Sequence, residues 1–185
     1  MRMLIMGPPG AGKGTQATVI AQNFGIAHIS TGDLFRANLS AGTPLGIEAK
    51  KYMDAGEYVP DSVTNDMVRD RLTHEDAKPG FLLDGYPRTI AQVAELDEML
   101  GSERLDKVLV LTAENEELVN RLLNRSSQQG RSDDSEEVIR RRLEVYEEQT
   151  APLIDLYSER GILVSVDGLG SREEVAERIL EALNS

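Results

Sequence analysis

Gly7-Pro8-Pro9-Gly10-Ala11-Gly12-Lys13-Gly14-Thr15 follows a short apolar run, Met3 to Met6, and precedes a stretch of helical character. A glycine-rich turn between a strand and a helix lets successive backbone amides close around an anion, and the helix N-terminus adds partial positive charge. Pro8 and Pro9 carry no N–H, so the donors are expected from Gly10, Ala11, Gly12, Lys13, Gly14 and Thr15. The Lys13 ammonium would reach the β- and γ-phosphates of a nucleotide. This GxxxxGK pattern is usually followed directly by Ser or Thr, whereas here Gly14 intervenes before Thr15. A ligand-free turn is the bland alternative; its position at the first strand-to-helix junction favours phosphate binding.

Asp84 ends a second apolar run, Phe81-Leu82-Leu83-Asp84-Gly85, where a carboxylate could face the phosphate loop and orient magnesium-bound waters, or merely cap a turn. Arginine is the third signal. The chain has 15 arginines and 5 lysines, and Arg121, Arg125, Arg131, Arg140, Arg141 and Arg142 cluster in one stretch. Arg121 and Arg125 share a helical face, Arg131 lies in a polar connection, and Arg142 follows on the next helix. Permanently charged guanidinium forks suit a site that holds two polyanions together. Taken singly, each could equally be a solvated partner of a glutamate such as Glu117 or Glu144.

These residues need a scaffold. Apolar runs at Met3 to Met6, Ala27 to Ser30, Phe81 to Asp84, Lys107 to Thr112 and Ile162 to Val166 read as five buried strands. Helical segments are expected to begin near Lys13, Asp33, Pro44, Asp61, Thr89, Glu114, Ser135 and Ser171. Alternating strands and helices give an α/β fold with a parallel sheet. Three helical patterns between the second and third strands exceed a simple crossover and suggest an inserted subdomain. Ser126 to Asp134, SSQQGRSDD, has no apolar period and reads as a mobile surface loop.

The 185 residues fit one compact unit, with 40% hydrophobic and 28% charged residues. With no cysteine and only His28 and His74, thiolate zinc sites, cysteine nucleophiles and a histidine-rich metal centre are excluded. A net charge of −12 opposes binding to nucleic acid and to anionic membrane, so an anionic ligand needs a local basic pocket. The first apolar run stops at Gly7, too short for a secretory signal, and no run would span a bilayer. A cytoplasmic monomer is expected.

Lys13, Ser30-Thr31-Gly32-Asp33-Leu34-Phe35-Arg36, Asp84-Gly85-Tyr86-Pro87-Arg88-Thr89 and the series Arg121, Arg125, Arg131-Ser-Asp-Asp134, Arg142 occur together in this order. With them the sequence resembles the adenylate kinases, from Met1 to the C-terminal helix. The resemblance implies a P-loop kinase fold with a five-stranded parallel sheet flanked by helices. It also implies a helical insertion for a nucleoside monophosphate at 30–59 and a short lid at 126–132, leaving a core of 1–29, 60–125 and 133–185.

For the site, the resemblance implies ATP phosphates on Gly10 to Thr15, with Arg121 near the adenine, Arg125 on phosphate and the Gly170 backbone near the base. AMP would meet Thr31, Arg36, Glu57, Tyr58, Val59, Gly85, Tyr86, Pro87, Arg88 and Gln92. Arg131 and Arg142 would bridge to the transferred phosphate, making Lys13, Arg88, Arg125, Arg131 and Arg142 the catalytic cations. Asp33 and Asp84 would hold Mg²⁺ through water. Thr31 and the Thr89…Gln92 pair also have ordinary readings as helix caps. Five residues separate Arg125 from Arg131, which fits a short-lid form without structural zinc. Tyr86 stands where many members have Phe, and Glu57 where some have Lys.

The implied reaction is reversible transfer from Mg-ATP to AMP, giving two ADP. One rival is a kinase for UMP or CMP on the same fold, against which Thr31 and the Thr89…Gln92 pair favour adenine. Another is a regulatory nucleotide switch. Asp167-Gly-Leu-Gly170 matches DxxG, but it follows the last strand and no NKxD guanine motif occurs.

Overall fold

A computed structural model of the protein describes residues 1–130 and 135–185. Among these, five strands form one all-parallel sheet: β1 (Arg2–Met6), β2 (Ala27–Ser30), β3 (Phe81–Asp84), β4 (Lys107–Thr112) and β5 (Leu163–Asp167), in the order β2-β3-β1-β4-β5. The register sets Ile5 beside Asp84, and Ser30 beside Asp84 on the other side. The carboxyl ends of β1, β2 and β3 therefore lie together, where the chain order of an open parallel sheet reverses and ligands usually bind.

Helices cover both faces: α1 (Lys13–Phe24), α2 (Thr31–Ser40), α3 (Pro44–Asp54), α4 (Asp61–Leu72), α5 (Ile90–Leu100), α6 (Asn115–Gln129), α7 (Glu136–Val145), α8 (Pro152–Glu159) and α9 (Arg172–Asn184). Side chains alternate along a strand, so β1 sends Met3 and Ile5 to one core and Leu4 and Met6 to the other. The first core also takes Ile20, Leu118, Ile139 and Ile179, and the second Val68, Leu96, Leu153 and Tyr157. Each buried leucine or isoleucine contributes about 1.5–3 kcal/mol of transfer free energy, which holds the strand ends beneath the site. Phe35, Ala49 and Val59 form a third apolar cluster among α2, α3 and the chain entering α4.

Strand positions match the sequence reading, except that β1 starts one residue earlier, at Arg2, and β5 starts and ends one residue later. Helix boundaries differ for identifiable reasons. The Ser30 hydroxyl accepts the Asp33 amide at 3.2 Å and starts α2 at Thr31, so the cap is Ser30 and not Thr31. Residues 126–129 are not a loop: α6 continues through them to Gly130, whose left-handed backbone ends it. Ser and Gln neither break a helix nor require an apolar face at its exposed end, so polar composition was a poor guide there. A π turn, Tyr146–Thr150, separates α7 from α8, a division the sequence pattern did not reveal. Ser171 and Glu174 form a capping box at the start of α9.

Candidate active site

The loop between β1 and α1 folds back on itself. Ala11 donates its amide to the Pro8 carbonyl at 3.2 Å, so this amide, one of those expected for phosphate, already has a partner. Gly10 sits at φ +86 with its α-carbon against α6; an added Cβ would stand 3.0 Å from the Leu118 carbonyl oxygen. Glycine is therefore required there both by backbone conformation and by space. The Lys13 ammonium bonds to the Gly7 and Pro8 carbonyls at 2.9 and 3.1 Å, across the mouth of its own loop. Burial pushes Lys13 down to about 8 against the pull of Asp84, with the charges of Arg88, Arg142 and Arg125 adding to the depression.

Asp84, 8% exposed at the end of β3, faces this loop: a Cβ on Gly14 would lie 3.9 Å from its Oδ2. Burial alone would raise its pKa, but the hydrogen bond from His28 and the charges of Lys13, His28 and Arg88 outweigh that and hold it below the usual carboxylate range. His28 Nε2 stands 3.4 Å from Oδ2, reaching across from the neighbouring strand β2. The sequence reading gave His28 no role. Its place two residues before the Ser30-Thr31-Gly32-Asp33 run was the available signal.

A cavity opens beside the loop, lined by Lys13, Thr31, Arg36, Arg88 and Arg142, and by Glu57, Tyr58, Val59, Gly85, Tyr86, Pro87 and Gln92. It thus collects the residues expected to meet AMP among those described. The Thr31 hydroxyl donates to the Gly85 carbonyl at 3.0 Å. Gly85 has φ +89, and a Cβ there would meet Thr31 Oγ1 at 2.5 Å and Arg88 Nη2 at 3.0 Å. Gln92 accepts the Arg88 amide at 2.7 Å and donates to Asp61 at 2.8 Å; Thr89 caps α5 and also binds Asp61. The Gln92 side chain therefore braces the Arg88 backbone rather than closing a box on its own cap. Tyr86 donates its hydroxyl to Asn65 Oδ1 at 2.7 Å, which gives this tyrosine a partner that phenylalanine would lack. The Glu57 carboxylate accepts from Arg141 Nε at 2.6 Å.

Arg36 binds Asp33 at 2.7 Å, so two residues expected on different ligands engage each other. Arg121 donates both terminal nitrogens to the Gly168 carbonyl at 3.2 Å, which ties α6 to the loop carrying Gly170. Arg178, overlooked in the sequence, holds the same loop through the Asp167 and Leu169 carbonyls at 2.9 and 2.7 Å. Arg125 and Arg142 lie near enough to act on the Lys13 charge. Arg131 lies outside the described residues, as do Ser132, Asp133 and Asp134. Thr150 and Tyr146 were also missed; Arg142, Tyr146 and Thr150 follow one another at four-residue spacing and all line the cavity. Among the described residues, no helix is long and apolar enough to cross a membrane.

Comparison with known proteins agrees with this geometry. The family model described as adenylate kinase matches residues 5–162. The adenylate kinase of Kocuria rhizophila is 64% identical over 184 residues, covering 98% of each chain. That of a Nocardioides species is 61% identical over 186 residues, covering 100% of this chain and 97% of its own. That of Thermobifida fusca is 54% identical over 187 residues, covering 100% and 99%. With a matching phosphate loop, sheet and full-length similarity, the chain belongs to the adenylate kinase family.

Proposed function

We propose that the protein transfers the γ-phosphoryl group of ATP reversibly to AMP, giving two ADP, with ATP on the glycine loop and AMP in the adjoining cavity. The observation that carries this reading is the convergence of Lys13, Arg36, Arg88 and Arg142 on one cavity in a protein of net charge −12. The acceptor is a phosphate oxygen already ionised at neutral pH, so the reaction needs no general base. It needs cations. Two unit charges 4 Å apart repel by about 4 kcal/mol at an effective dielectric near 20, and two nucleotides bring several such pairs together. Lys13 and the arginines offset this repulsion, align donor and acceptor, and stabilise the charge on the group in transfer.

Residues 1–29, 60–125 and 133–185 would form the core, 30–59 the AMP-side insertion and 126–132 the lid, whose approach would exclude water as a competing acceptor. Arg125, Arg131 and Arg142 would reach the transferred group, and Arg121 with the Gly170 backbone would flank the ATP base. Thr31, Arg36, Arg88, Gln92 and the 57–59 and 85–88 backbones hold AMP.

Mg²⁺ fits the donor set because Asp84 is buried, held in its ionised form, and faces Gly14 and Lys13. Bound with ATP, it would supply charge neutralisation at the phosphates, with Asp84 and Asp33 accepting from its waters. A monomer in the cytoplasm suits this activity. The test is ADP formation from ATP with AMP, UMP, CMP or GMP as acceptor. Strong preference for AMP supports the reading; equal use of UMP or CMP overturns the adenine assignment, and failure to transfer to any monophosphate overturns the reaction.

A further inference from the structure

Three elements meet around Arg88. Its guanidinium carbon stands 5.1 Å from the centroid of the Tyr58 ring, within the range of a cation–π contact. Its carbonyl accepts the Thr150 hydroxyl at 2.8 Å. Thr150 Oγ1 in turn lies 2.5 Å from the Tyr58 hydroxyl. The threonine proton points at a carbonyl, which cannot donate, so the tyrosine must supply the proton of the second bond. Arg88 is thus held twice by the same pair: its backbone by Thr150, and its charged end by the ring that Thr150 secures. Thr150 is only 4% exposed and is carried by the π turn, whose Ala151 amide bonds to the Tyr146 carbonyl at 2.9 Å. Single π turns inside helices often serve functional sites, because the extra residue re-aims the side chains that follow.

We propose that Thr150 and Tyr58 are positioning residues that fix the Arg88 guanidinium for the phosphate of the monophosphate acceptor. The proposal rests on the placing of Arg88 on AMP given above. An arginine side chain has several rotatable bonds, and freezing them on binding would weaken the contact with phosphate. The Tyr58 face removes part of that freedom before AMP arrives, and the Thr150 hydroxyl keeps the backbone from which the side chain springs at a fixed distance from the ring. Tyr58 belongs to the insertion side and Thr150 to the core, so the arrangement also makes the orientation of Arg88 depend on how these two parts meet.

The test combines steady-state kinetics in both substrates with melting of the ligand-free protein. Thr150→Val keeps the shape and removes the hydroxyl; it is expected to raise KM for AMP roughly tenfold, as for loss of a hydrogen-bonded support, with KM for ATP unchanged. Thr150→Ser should restore it. Tyr58→Phe, which keeps the ring, should have a smaller effect than Tyr58→Leu, which removes it. In an Arg88→Lys background, neither Thr150→Val nor Tyr58→Leu should add to the AMP defect, because the group they position is gone. If Arg88→Lys alone leaves AMP kinetics unchanged, the placing of Arg88 fails, and with it the proposal. If Arg88→Lys impairs AMP use while Thr150→Val and Tyr58→Leu do not, the positioning role alone fails. Equal rises in both KM values with a lowered melting temperature, or full additivity with Arg88→Lys, would reduce the pair to a structural tie and overturn it. Should Thr150→Val not fold, Tyr58→Phe and Tyr58→Leu act from the other end of the Thr150–Tyr58 bond, and an unchanged KM for AMP in both overturns the positioning role.

Discussion

Arg36 and Asp33, one turn apart on α2, bind each other at 2.7 Å between Nη2 and Oδ1, although the proposed function gives them different partners. In that reading the arginine takes an AMP phosphate and the aspartate a magnesium-bound water. The pair is accessible, with Asp33 66% exposed, so water screens it and it contributes at most about 1 kcal/mol. A phosphate dianion can therefore take the arginine at little cost.

Separating the two roles is the first prediction. Arg36→Ala should raise KM for AMP, whereas Asp33→Asn should leave KM for AMP near its original value and raise the Mg²⁺ concentration needed for half-maximal rate. Both should change stability by less than about 1 kcal/mol. Steady-state titrations of AMP and Mg²⁺ on each variant, with chemical denaturation, check this. A matching rise in AMP KM for Asp33→Asn would mean that the two side chains act as one unit.

Lys13 supplies a pH dependence whose sign follows from its environment. Its ammonium is pushed down to about 8 in the ligand-free protein, below the ordinary lysine value, so it is charged below that pH and loses its proton above it. Bound phosphates favour the charged form and raise the value again. Hence kcat/KM for ATP should fall as pH rises through about 8, while kcat persists to higher pH, and ATP binding just above pH 8 should take up a proton. Calorimetry in buffers of different ionisation heat measures that uptake. Lys13→Met should abolish it and lower kcat by orders of magnitude with the fold retained; near-normal turnover in that variant would withdraw Lys13 from the phosphate site.

Gly85 tests how closely the two sides of the cavity proposed for AMP approach. At φ +89, with a Cβ 2.5 Å from Thr31 Oγ1, Gly85→Ala strains the backbone and displaces the hydroxyl from the Gly85 carbonyl. A loss of at least about 1 kcal/mol in stability is expected. AMP kinetics should suffer more than ATP kinetics, since Arg88 Nη2 would also be crowded, at 3.0 Å. Thr31→Ala should reproduce part of the AMP effect without the backbone strain.

The strands were legible because β1 and β4 are continuous apolar runs bounded by turn residues, the pattern that burial on both faces demands. The phosphate loop was legible because its function needs particular residues at adjacent positions. Thr150 was not legible. Its role depends on a π turn that no apolar period announces, and on meeting Tyr58 from a distant part of the chain. His28 was hidden likewise, since its partner Asp84 is brought to it only by the β2–β3 register. Arg121 and Arg36 stood out in the sequence, yet their partners, the Gly168 carbonyl and Asp33, are set by the folded chain. Sequence spacing identifies a cation; packing determines where its charge is held.

Arg121 gives the last prediction. Its Nη1 and Nη2 both donate to the Gly168 carbonyl at 3.2 Å, while Nε binds Glu117 at 3.1 Å, so the fork is fixed on both sides. The loop it grips is held again by Arg178, and the Gly168 α-carbon is packed so tightly that a Cβ would lie 3.1 Å from the Ala11 carbonyl. The loop carrying Gly170 thus packs directly against the phosphate loop, as the proposed placing of the ATP base on its backbone requires. Arg121→Lys keeps a charge but cannot supply two parallel donors together with the Glu117 bond. KM for ATP should rise severalfold while KM for AMP stays within about twofold, the mark of lost ground-state binding at one substrate. Arg178→Ala should move the same parameter in the same direction without touching nucleotide. Kinetics with ATP and with donors bearing other bases separate two explanations: a loss confined to adenine donors places the loop against the base, and an equal loss for all donors places its effect on the phosphates through Ala11.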